Sequence, residues 1–142
     1  MPDYFSQKFP SKVTRDYWIY AERKTGEYPQ HSVYGGKWLI FVNNRSVDRI
    51  WMKIKTATEE GRLGGIVKVA TAKINPGFAS SKVKVICVYT YDWRDEKDVK
   101  RVREELKKIG IARKIAYKTD EDTEQGRYRT ATTTEKISKY YK

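Results

Sequence analysis

The chain has 142 residues, 39% hydrophobic and 13% aromatic, which is enough apolar side chain for the core of one domain. No apolar run approaches the length of a membrane span, and residues 1–10 hold no apolar stretch of the kind a secretory signal needs. Cys87 is the sole cysteine, which rules out an internal disulfide or a thiolate metal cluster, and 30 basic against 18 acidic residues leave a net charge of +12, pointing to a phosphate-bearing partner in the cytoplasm.

Residues 1–16 read as irregular, with Pro2 and Pro10 opposing regular structure. Tyr17-Trp18-Ile19-Tyr20 is a short β-prone run, and Thr25 to Gly36 is a loop holding Gly26, Pro29, Gly35 and Gly36. Lys37 to Val42 reads as a strand apolar on both faces, hence central in a sheet. The period then changes: Val47, Ile50, Trp51 and Ile54 recur at helical spacing behind Ser46 as N-cap, and Gly61 ends the helix. Ile66 to Ala72 and Val83 to Tyr91 are two more strands, joined as a long-looped hairpin through Asn75-Pro76-Gly77. Asp95 caps a second helix with Val99, Val102, Leu106 and Ile109 as its buried stripe. Gly110 then Ile111 predicts a Schellman ending. Arg113 to Tyr117 is a further strand, Asp120-Glu121-Asp122 an acidic turn, and Gln125 to Thr133 a candidate last strand. The tail from residue 127 holds Arg127, Arg129, Lys136, Lys139 and Lys142 against Glu135 alone, and reads as a terminal strand or a basic arm.

This order predicts an α+β fold, a curved, mainly antiparallel sheet with two main helices packed on one face. The other face must be covered by the N-terminal segment and tail, or stay open as a groove, and a groove is where a ligand site belongs. Alternation puts Lys68, Ala70 and Ala72 on one face of their strand and Val67, Val69 and Thr71 on the other. If the apolar set meets the helices, Lys68 faces the groove.

Lys37, Lys84 and Lys118 also sit in or next to strands beside apolar neighbours. A charge there is costly unless it is paired or faces water, so two or three such lysines would form an anion site. The alternative is edge lysines that guard the sheet against aggregation. Trp18, Trp93, Tyr17, Tyr20, Tyr89 and Tyr91 lie in or just beyond strands among Arg15, Arg23 and Arg94, an arrangement that suits base stacking. Trp38 and Trp51 are assigned to the core. The acidic turn reads as a partner for nearby lysines. One His, one Cys and no spaced carboxylate loop give no metal signature. Neither Gly35-Gly36 nor Gly64-Gly65 belongs to a phosphate-loop pattern, and no cofactor is implied.

Four stretches carry a resemblance. They are Gly36-Lys37-Trp38-Leu39-Ile40-Phe41; Val47-Asp48-Arg49-Ile50-Trp51 through Gly61-Arg62-Leu63-Gly64 to Lys68-Val69-Ala70-Thr71-Ala72; Val85 to Asp92 leading into Asp98-Val99 and Arg101-Val102-Arg103; and Tyr117-Lys118-Thr119-Asp120 with Thr123 and Tyr128. Together they resemble the basophilic-leukaemia-expressed protein family, which carries the label of a phosphothreonine lyase domain. The resemblance covers residues 17–128 of a single domain, 1–142, leaving 1–16 as an irregular segment and 129–142 as a basic tail. That family is similar in fold to the cap-binding translation initiation factors of the 4E type, whose echo is Gly35 to Ile40 and Asp48 to Trp51. The likeness implies the curved sheet and not cap binding. Those factors sandwich a methylated guanine between two Trp and hold it with a Glu, whereas residues 25–34 offer Tyr28, Tyr34 and Glu27 but no Trp. The basic position expected in the sheet falls near Ala70.

The lyase label implies β-elimination of phosphate, with Lys68 or Lys118 as base and His31 as acid. Thr71, Asp120 and Tyr128, from the resembling stretches, join Lys37, Lys68, Lys118, Trp18, Tyr91 and Trp93 as candidate ligand-binding residues. The leading expectation is a binding module for RNA, nucleotide or another phosphate-bearing ligand. The alternatives are a phosphothreonine-lyase-like enzyme and a protein–protein adaptor that uses the helical face.

Overall fold

Alternating burial along the strands divides the sheet into two unlike faces. The structure, a computed structural model, describes residues 8–74, 82–121 and 139–142. Among these residues, six strands, β1 (Trp18–Glu22), β2 (Gly36–Asn43), β3 (Ile66–Ala70), β4 (Val83–Thr90), β5 (Ala116–Thr119) and β6 (Tyr140–Tyr141), accompany two α-helices, α1 (Val47–Glu59) and α2 (Glu96–Lys108). The curved sheet runs β1-β3-β4-β2-β5-β6, every pair antiparallel. The doubly apolar β2 lies inside it, between β4 and β5.

One face is the core. Ile19, Ala21, Val67, Val69, Ile86, Val88, Trp38 and Ile40 point there, and Val47, Trp51 and Ile54 of α1 and Val99, Val102 and Leu106 of α2 pack onto them. α1 lies over β1 and β3, and α2 over β4. Each fully buried side chain of this kind contributes about 2 kcal/mol. Trp38 also donates its indole N–H to the Val99 carbonyl at 3.1 Å, so its one polar atom is satisfied in the core.

The helix ends follow local chemistry. Asp95 accepts the Asp98 N–H at 3.1 Å at the start of α2. Gly110 takes φ +107°, and the Ile111 N–H reaches the Leu106 carbonyl at 3.0 Å, the predicted Schellman ending. At α1 the Ser46 hydroxyl makes no cap bond; the Asn43 side chain accepts the Ser46 N–H at 2.9 Å instead.

The strand foreseen from Arg113 starts at Ala116, because the guanidinium of Arg103, 1% exposed, gathers the preceding carbonyls. It donates to Ile111 at 2.7 Å, Arg113 at 2.6 Å and Lys142 at 2.7 Å, tying α2, its exit turn and the end of β6 together. The described part of the N-terminal segment, residues 8–16, makes its contacts on the helical side. Ser11 bonds the Asp48 carboxylate of α1, and Ala72 donates to the Pro10 and Val13 carbonyls, so this segment packs on the helical side. Within the basic tail, Tyr140–Tyr141 pairs with β5; the strand foreseen over Gln125 to Thr133 lies outside the described residues. No helix among the described residues is long and apolar enough to cross a membrane.

Candidate functional site

The second face carries the lysines. In register, Tyr20 lies opposite Lys68, Lys68 opposite Cys87, Tyr89 opposite Lys37, and Lys37 opposite Lys118. Lys68, Lys37 and Lys118 therefore share one face, from β3, β2 and β5, with Tyr89 of β4 among them. Three strand steps and an offset of two residues along β4 separate the outer two, a span of about 16 Å.

Lys68 is half-buried. Its ammonium lies 3.9 Å from the centre of the Trp18 ring and 5.9 Å from that of Tyr89. Both rings offer their negative faces, and no carboxylate among the described residues pairs with it. Lys37, 7% exposed, bonds Asp120 Oδ1 at 3.1 Å and stands 5.6 Å from the Tyr89 ring. Lys118 is 8% exposed directly across from it. Asp120 thus answers as a lysine partner, the role foreseen for the acidic turn.

The sequence separates His31 from these lysines, and the fold does not. His31 Nε2 reaches Asp120 Oδ2 at 2.5 Å, and its ring meets Tyr89 edge-on at 5.8 Å. Gly35 permits this, since a Cβ there would sit 2.0 Å from Nε2. The Asp120 N–H donates to the Gly35 carbonyl at 2.9 Å and holds the loop against the end of β5.

Burial governs the remaining groups on this face. It pushes the Cys87 thiol up to about 11, against the opposing pull of Lys68 and Lys37, so the thiol is no nucleophile at neutral pH. Burial also raises the Tyr89 phenol, which stays a neutral hydroxyl, and that hydroxyl has no hydrogen-bond partner among the described residues.

Other candidates lie elsewhere. Thr71 is fully buried on the helical face, where its hydroxyl bonds the Asp16 carbonyl and accepts the Lys73 N–H at 3.2 Å. Tyr91 falls just past β4 and turns to the start of α2; its hydroxyl bonds Asp95, which raises it to about 12. Trp93 packs edge-on to Tyr34 at 6.3 Å, with Lys139 4.0 Å from its ring. Lys84 sits opposite Val42 on the helical face. Tyr128 lies outside the described residues. Tyr89 and Tyr20 are the aromatics of this face that sequence reasoning leaves out of the candidate ligand-binding set. Their signal is parity, each alternating with a core residue, Val88 or Ile19.

Such a face can hold phosphate on ammonium groups and offer rings to a planar group. Solved structures share its architecture. Schistosome eIF4E, complexed with m7GpppA and 4E-BP, superposes with a TM-score of 0.54 at 18% identity, over 76% of this chain and 58% of that one. Ascaris suum eIF4E-3 with the m2,2,7G cap gives 0.53 at 19%, over 77% and 58%. C. elegans eIF4E-3 with the 4E-binding protein Mextli and a cap analog gives 0.52 at 20%, over 66% and 54%. The chain therefore has an eIF4E-like fold and spans little more than half the length of the chains it matches. Residues 27–124 match the family described as Basophilic leukemia-expressed protein Bles03, and the chain belongs to that family.

Proposed function

We propose that this protein is a binding module for RNA, a nucleotide or another phosphate-bearing ligand, held on the lysine-bearing face of the sheet by Lys68, Lys37 and Lys118. The observation that carries this reading is Lys68, a half-buried ammonium set on two aromatic rings with no carboxylate partner among the described residues. Water competes weakly there, so an incoming phosphate gains more from Lys68 than from a solvated surface lysine. Asp120 tempers the positive field beside Lys37, and the neutral Tyr89 hydroxyl adds a donor. Trp18 supplies a stacking surface. The buried, unreactive Cys87 and the RNA reading together fit the cytoplasm. Tryptophan fluorescence tests the reading: titration with a short single-stranded RNA should quench saturably at low salt and fade at high salt. Absence of quenching at low salt would contradict it.

A second reading, a phosphothreonine-lyase-like enzyme, would draw on the His31–Asp120 contact beside Lys37. Lys68 or Lys118 would take the Cα proton, and His31 would protonate the leaving phosphate. Loss of phosphoric acid from a phosphothreonine peptide, read by mass spectrometry, supports this reading; equal loss with His31→Ala removes that acid from it.

A further inference from the structure

Among the described residues β1 is an edge strand, and a groove of about 640 Å³ runs beside it, lined by Lys8, Asp16, Tyr17, Trp18, Ile19 and Tyr20. Edge strands are normally guarded by lysine, proline or a bulge, and the five residues of β1 include neither lysine nor proline. Tyr20 is 56% exposed, and among the described residues its ring has no stacking partner and its hydroxyl no hydrogen bond.

Trp18 and Tyr20 are two positions apart on one strand and share its lysine-bearing face, with backbone spacing of roughly 6.7 Å. That spacing suits one planar base lying between two rings. The Lys68 ammonium, directly across from Tyr20, rests on the Trp18 ring at 3.9 Å, where a stacked base would lie. Around the slot, Lys8, Lys68 and Lys73 stand against Asp16 and the exposed Glu22, which shares the strand face of Tyr20. Lys73 sits 4.3 Å from the Tyr17 ring, and Lys8 lines the groove with Asp16.

We infer that the ligand of the lysine-bearing face is a nucleotide whose base enters the β1 edge between Trp18 and Tyr20, while Lys68 leaves the Trp18 ring for its phosphate. The inference rests on the phosphate-binding reading above and adds the base. One side chain then couples both halves of recognition, because Lys68 leaves the Trp18 ring when a phosphate draws it away. An acidic peptide would satisfy the lysines and leave the rings without use.

The test is calorimetric titration of the full chain at low salt with AMP, adenosine and inorganic phosphate. AMP should bind at least tenfold tighter than either fragment. Tyr20→Ala, at an exposed position, should weaken AMP about tenfold, the ordinary loss for one stacking ring, and leave inorganic phosphate unchanged. Lys68→Ala should weaken both. Equal AMP affinity in Tyr20→Ala and the parent, with Lys68→Ala still impaired, overturns the base slot and leaves the phosphate reading standing. No binding of AMP or phosphate by the parent chain overturns both. Oligoglutamate binding tighter than AMP, or dimers that Tyr20→Ala dissolves in sedimentation, overturns the choice of ligand.

Discussion

His31 and Asp120, 89 positions apart, meet at 2.5 Å, and Asp120 in turn bonds Lys37 at 3.1 Å. A single carboxylate thus joins the loop before β2 to the end of β5 and sets the charge of the candidate site. Replacing it by its neutral isostere isolates that effect. Asp120→Asn should bind a short single-stranded RNA about fivefold tighter, the equivalent of roughly 1 kcal/mol for one carboxylate removed near a partly solvated phosphate. Weaker binding by the folded variant would show that Asp120 contacts the ligand itself.

Gly35 and Gly36 are adjacent and face opposite sides of the sheet, so alanine should separate their roles. At Gly36 a Cβ would meet Tyr117 Oη at 2.4 Å, and that ring is fully buried, its hydroxyl 2.6 Å from Thr90 Oγ1. Gly36→Ala should cost about 2 kcal/mol in urea unfolding, as overpacking does. At Gly35 the added methyl meets His31, 41% exposed in its side chain and able to swing into water. Gly35→Ala should therefore cost little stability and release His31 from Asp120, seen as a changed imidazole resonance in NMR.

Arg103 binds three carbonyls, two from the exit turn of α2 and one after β6, and is 1% exposed. Arg103→Leu keeps the bulk and orphans those acceptors. Urea unfolding should show a loss of about 3 kcal/mol or more, the scale for losing several charge-assisted hydrogen bonds in a buried place. An unchanged midpoint would mean that water replaces the guanidinium at no cost.

Cys87 gives a pH prediction. Burial raises its folded pKa from 9.0 to about 11. Below pH 9 the thiol is protonated in both states, and its contribution to stability is complete. From pH 9 upward the unfolded chain ionises first, and that contribution fades until the folded thiol ionises as well, near pH 11. A thiol reagent at pH 8 should react slowly with the native chain and fast in denaturant, and Cys87→Ser should flatten the fall in stability between pH 9 and 11. Rapid native labelling at pH 8 would contradict the burial.

Much of the fold is legible in the sequence because periodicity alone carries it. Val67 and Val69 alternate with Lys68, which sets the lysine's face without knowledge of any contact, and Asp95 and Gly110-Ile111 mark the ends of α2. The candidate site is legible only in part. Lys37, Lys68 and Lys118 can be read strand by strand, but nothing in their spacing says which strands are neighbours. His31 joins them through a tertiary contact that Gly35 allows, and a glycine's missing side chain reads in sequence as a loop. Periodicity favours Tyr91 over Tyr89 by running the strand one residue too long; β4 ends at Thr90, and the Asp95 carboxylate takes the Tyr91 hydroxyl. Arg103 is hidden for a similar reason. An arginine on an apolar helix face gives no sign that backbone carbonyls will meet it.

The central claim is that Lys68 meets a phosphate on the lysine-bearing face, and the salt dependence of RNA binding tests it most directly. Affinity of a short single-stranded RNA, measured by fluorescence anisotropy over a series of salt concentrations, should give a log–log slope of about −2 for three neutralised phosphates. Lys68→Ala should reduce the steepness of that slope by about 0.7, the increment for a single phosphate, with the fold intact by circular dichroism. A slope that is the same in Lys68→Ala and the parent chain would contradict the account.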